Sequence, residues 1–76
     1  MDIRIVKIEQ ISPQMERWLI QLPKHQFIVF GFLLEAMEGT GLHRQSLEAE
    51  NQMVVDVAIG MKQELTDLLD DLKNWQ

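Results

Sequence analysis

A chain of 76 residues with a formal charge of −5 has room for one domain around one small core. The acidic balance argues against nucleic acid, whose dense phosphates demand basic surface, and equally against an anionic membrane. There is no cysteine, which removes disulfides and thiolate zinc sites, and two histidines make no metal cage. Oligomerisation is the staple left open to so short a fold. No apolar run reaches the roughly 20 residues that span a bilayer, and none is placed or flanked like a signal peptide, so the expected location is the cytoplasm.

Residues 2–9 are rich in β-branched side chains and roughly alternating, a strand pattern. Strict alternation places Ile3 and Ile5 on one side and Val6 and Ile8 on the other. Pro13 interrupts the run, because proline has no amide hydrogen to give a ladder. A second strand over 15–22 puts Trp18, Ile20 and Leu22 on one face and Arg17, Leu19 and Gln21 on the other. Two strands joined by a short loop predict an antiparallel hairpin.

The middle of the chain holds its most apolar stretch. Phe27, Ile28, Val29, Phe30, Gly31, Phe32, Leu33 and Leu34 follow one another without a polar residue. The spacing predicts a helix over 23–38, opened by Pro23 and stopped by Gly39 at the C′ position. Its charges oppose the helix dipole, with Lys24 near the positive end and Glu35 and Glu38 near the negative one. Each mismatch costs a few tenths of a kcal/mol, about 0.3 at an exposed site, so packing must hold this helix.

A weak strand over 41–48 follows, with Leu42 and Leu47 its only large apolar residues, then a turn over 48–51. Residues 53–59 read as the strongest strand, with Met53, Val55, Val57 and Ile59 on one face. Gly60 opens the last helix, and Gln63 is spaced to answer it as in a capping box. Met61, Leu65, Leu68, Leu69, Leu72 and Trp75 then form one stripe, backed by Glu64, Asp67, Asp70 and Asp71.

The order β-β-α-β-β-α predicts an α+β two-layer sandwich, a four-stranded antiparallel sheet with two helices on one face. Residues 15–74 have the body of a ferredoxin-like fold, and residues 1–14 add a strand that fills its missing edge. The whole, 1–76, is then one circularly permuted domain. Leu19 to Lys24, Phe32 to Gly39 and Glu64 to Leu72 also resemble a family of short bacterial proteins catalogued as a domain of unknown function. The resemblance runs from about Arg17 to Leu72, rests on apolar spacing and one glycine, and implies a fold similar to ferredoxin-like and ACT-like regulatory domains. It carries no activity over.

The candidate functional residues fall in two groups. Ile28, Val29 and Phe32 spread beyond the arc that the sheet can cover, and Gly31 would let a partner backbone approach closely; the four predict a partner interface, most simply a homodimer. The competing reading has the last helix and the loops cover the excess. Gly39, Thr40, Gly41 and Leu42 form a possible ligand loop for an ACT-like sensor that binds a metabolite between subunits. That loop lacks the lysine and spacing of a phosphate-binding motif and follows a helix instead of preceding one. His25 and His43 read as surface, Asp56 as a paired or solvated strand residue, and Asp67, Asp70 and Asp71 as a solvated helix face. Trp18 is the only strand aromatic and points to the helices, against base stacking. No catalytic, cofactor-binding or metal-ligating set is expected. The function expected is a small interaction or regulatory module without enzymatic activity.

Overall fold

The computed structural model describes residues 1–37 and 50–74 in full and 40–45 as backbone. It is α+β: a sheet of antiparallel pairs with two helices. In chain order these are β1 (Arg4–Ser12), β2 (Met15–Gln21), α1 (Phe27–Glu35), β3 (Thr40–Gln45), β4 (Gln52–Ala58) and α2 (Lys62–Lys73). The sheet order is β1-β2-β4-β3. β1 and β2 form a hairpin in which Ser12 pairs with Met15 across a two-residue turn. The Ser12 hydroxyl accepts from the Gln14 backbone N–H at 3.2 Å, a local turn bond of the kind serine favours.

One face of the sheet is dry. Trp18 and Ile20 of β2 lie opposite Val55 and Met53 of β4, and residues directly opposite in an antiparallel pair share a face. Phe30 and Leu34 of α1 and Leu65, Leu69 and Leu72 of α2 join them in a single buried cluster with Ile3, Leu22 and Val57. Phe27, Leu33, Met37, Met61 and Leu68 pack against its rim. Two backbone bonds close the perimeter at 2.9 Å each: Leu22 N–H to the Asn51 carbonyl, and Ile59 N–H to the Gln14 carbonyl.

Four details differ from the alternation and capping read in the sequence. In β1 the register slips between Ile5 and Lys7, leaving Val6 as an extra residue. A one-residue bulge reverses the parity beyond it. Ile8 therefore lies opposite Trp18, on the same side as Ile5, which is opposite Ile20. In α1 the predicted 23–38 shortens to nine helical residues after a 3-10 turn, Lys24–Gln26. β4 stops at Ala58, so Ile59 leaves the core face, opens a second 3-10 turn and is exposed. The Gly60–Gln63 capping box does not form: Met61 is the N-cap of α2, without a side-chain cap. Gln63 instead donates to Asp67 at 2.9 Å, one helical turn on.

The strand predicted over 41–48 begins one residue earlier, at Thr40, and is described as far as Gln45; Ser46 and Leu47 lie outside the described residues. Thr40 pairs with Val57 and His43 with Val55, across an irregularity. Glu48 and Ala49 of the predicted turn, and Trp75 of the last apolar stripe, lie outside the described residues.

Candidate functional site

The outer face of α1 is the most apolar exposed surface on any described helix. At about 100° per residue, Phe30, Leu34 and Phe27 point to the sheet, and Ile28 and Phe32 point directly away. The accessibilities follow that geometry: Phe30 and Leu34 are fully buried, while Ile28 is 73% exposed, Phe32 66% and Val29 43%. Gly31 does not belong with them. It is buried beside Phe30 and Leu34, so it adds nothing to the open surface and offers no close approach to a partner there. The exposed ends of this face are polar, with Lys24 and His25 before the helix and Glu35 in its last turn.

The uncovered face of the sheet carries paired charges beside the apolar pairs Leu19–Val54 and Met15–Ala58. Arg17 of β2 lies opposite Glu9 on one side and Asp56 on the other, which sets a row of alternating charge across three strands. The guanidinium donates to both carboxylate oxygens of Asp56, through Nε at 2.8 Å and Nη2 at 3.2 Å. This fork is the strong form of the ion pair, and it raises the Arg17 pKa further above its ordinary value. Lys7 reaches Glu9 at 2.6 Å and, chiefly by that bond, lowers the Glu9 pKa. Asp56 is thus a paired strand residue. Arg4 adds a bond from its guanidinium to Gln21 Oε1 at 3.1 Å.

A second polar cluster ties α2 to the sheet. Glu16 stands on the covered side of β2, and its side chain is only 14% exposed. It accepts from the Trp18 indole Nε1–H at 3.0 Å and from Lys62 Nζ at 3.1 Å. The indole donor first, then the ammonium, hold its carboxyl below the usual range. A charge so placed needs such partners, because burial otherwise favours the neutral acid. The Glu16–Trp18 half was legible in the sequence, since residues two apart on a strand share a face. Lys62 is 46 residues away and nothing in the sequence announces it.

An open groove of about 580 Å³ separates the end of α1 from α2. Ala36, Met37, Met61 and Leu68 supply its apolar lining, and Glu64, Asp67 and Asp71 its acidic one. Of the predicted ligand loop, Gly39 lies outside the described residues, whereas Thr40, Gly41 and Leu42 are the opening of β3 and not a loop. His25 is exposed in the 3-10 turn, and the side chain of His43 lies outside the description. Among the described residues no three His, Asp or Glu side chains converge as a metal site, and no helix is long and apolar enough to cross a membrane.

No protein-family model, no curated protein and no solved structure matches this chain.

Proposed function

We infer that this protein is a small interaction module that works as a homodimer, with the outer face of α1 as the contact and without catalysis of its own. The observation that carries the reading is the exposure of Ile28, Val29 and Phe32 together on one short helix. Fully burying one such side chain is worth about 1.5–3 kcal/mol, and a domain this small has on the order of 5 kcal/mol in all. Covering three of them with another surface would contribute an amount comparable with the stability of the whole domain.

A second copy is the occupant that the charges favour. α2 carries Glu64, Asp67, Asp70 and Asp71 and would repel its own image, whereas α1 has one charged residue in its nine. Contact through α1 therefore keeps the acidic helices apart while two chains of charge −5 associate. The polar groups described on the sheet and at the start of α2 support the non-enzymatic reading, because Arg17 pairs with Asp56 and Glu16 with Lys62, and both pairs hold the fold.

The same proposal takes the fold as a circularly permuted ferredoxin-like sandwich, supported by the sheet order and by helices that link β2 to β3 and follow β4. It includes kinship with the short bacterial proteins of unknown function, on the spacings quoted above. Light scattering across a dilution series tests the dimer. Twice the chain mass at tens of micromolar, falling on dilution, supports it, and the mass of one chain throughout refutes it. A thermal-shift screen of amino acids and nucleotides should be flat; a ligand that stabilises would favour a metabolite sensor instead.

A further inference from the structure

The groove between the end of α1 and α2 is walled on the α2 side by Met61, Glu64, Leu68 and Asp71. They follow one another by steps of three, four and three, so at about 100° per residue they share one narrow arc of the helix. Apolar and acidic side chains alternate along that seam, which extends for about 15 Å at the helical rise. Ala36 and Met37, at the end of α1, give the groove further apolar lining. Lys62, next to Met61 in the chain, is engaged by Glu16, and Gln63 bonds Asp67 at the rim. Among the described residues neither Glu64 nor Asp71 has an ion-pair partner.

We propose that this groove docks a short basic amphipathic helix of another protein, its apolar residues on Met61, Leu68 and Met37 and its lysines or arginines on Glu64 and Asp71. The spacing selects a helix as the occupant. Steps of three and four are the repeat that one helix offers another, so apolar and basic positions on the incoming segment keep pace with the seam, whereas the period of two of a strand does not. Methionine from both helices suits a surface that repacks around what it binds. The charge selects a basic segment: a second copy, at a net charge of −5, brings the wrong sign, and a lysine-rich helix brings the right one. α2 already buries Leu65, Leu69 and Leu72, so the occupant is a reversible ligand and not a requirement for folding. The outer face of α1 is a separate surface, and docking in the groove does not depend on the homodimer.

Fluorescence anisotropy tests the site with a labelled peptide of leucine and lysine alone, about 14 residues long so that a helix can form, with leucine recurring every third or fourth residue. The peptide should bind saturably at low salt, and circular dichroism checks that each protein variant is folded. Glu64→Gln with Asp71→Asn should weaken binding by about three- to tenfold. Asp2→Asn with Asp70→Asn changes the net charge equally at exposed acids outside the groove, and should leave the affinity within about twofold of the parent. Ala36→Lys sets a cation at an exposed position of the apolar lining and should weaken binding by roughly tenfold. A peptide with serine in place of leucine, which needs no change to the protein, should lose most of its affinity, because only exposed charge pairs are left to it. Equal losses in the two acid pairs, or undiminished binding of the serine peptide, would reduce the groove to general acidity and overturn the site. Failure of the leucine–lysine peptide to saturate the parent chain overturns it as well. Binding lost in Phe32→Glu but kept in the groove variants would place the peptide on the outer face of α1, and is the third contrary result.

Discussion

α2 sends Leu65, Leu69 and Leu72 into the core and presents Glu64, Asp67, Asp70 and Asp71 to water, while α1 buries Phe30 and Leu34 and presents Ile28 and Phe32. Both helices cover one sheet, and both bury a comparable stripe. They differ in what the other side is made of. α2 has an acid in its first turn and a lysine in its last, in step with its dipole. α1 has neither, and its nearest charges sit at the wrong ends. A helix built like α2 is finished once it meets the sheet. A helix built like α1 is held chiefly by packing, and Ile28, Val29 and Phe32 are still open.

The difference can be broken most severely at the inner face. Phe30→Ala removes a fully buried ring and should cost about 3–5 kcal/mol, a large share of the stability of a domain of this size. Urea denaturation followed by circular dichroism measures it. A loss below about 1 kcal/mol would mean that α1 is not anchored where its burial indicates.

The tether of α2 gives a pH-dependent effect. Glu16 has a folded pKa below its ordinary value of 4.5, so it contributes stability above that value and loses it as pH falls through the folded one. Glu16→Gln keeps an acceptor for Trp18 but has no proton to gain. Its urea midpoint should therefore fall less steeply than that of the parent as pH drops below 4.5. Parallel curves for the two proteins would show that Lys62 and Trp18 do not favour the charged form.

The smallest change sharpens the entry to α2. Gly60 lies in the 3-10 turn with open space around the position of an added Cβ and no need for a left-handed backbone. Gly60→Ala should stabilise by about 0.4–1 kcal/mol, through a less free unfolded chain. Destabilisation in the same urea assay would point to a constraint on that turn beyond its own backbone.

The two helices were also legible to different degrees. The stripe of α2 could be read from spacing alone, because its polar residues mark the boundary of the buried arc. In α1 periodicity fixed which residues face the sheet, since Phe30 and Leu34 recur one turn apart, but nothing polar marked where burial ends. That is why Gly31 was grouped with the open residues although the fold buries it. The parity of β1 was illegible for another reason. A bulge is one extra residue with no chemical label, and it moved Ile8 to the side of Ile5. The Arg17–Asp56 fork and the Lys62–Glu16 bond join residues far apart in sequence, and such pairs become visible only when strand register brings them opposite each other.

The central claim is that the outer face of α1 exists to be covered by a second chain, and Phe32→Glu addresses it most directly. Phe32 is largely exposed, so the substitution should leave the folded monomer intact, with a stability change within about 0.5 kcal/mol. Sedimentation equilibrium at tens of micromolar should then find the parent as a dimer and Phe32→Glu as a folded monomer. A parent that sediments as a monomer, or a variant that remains dimeric, would contradict the account.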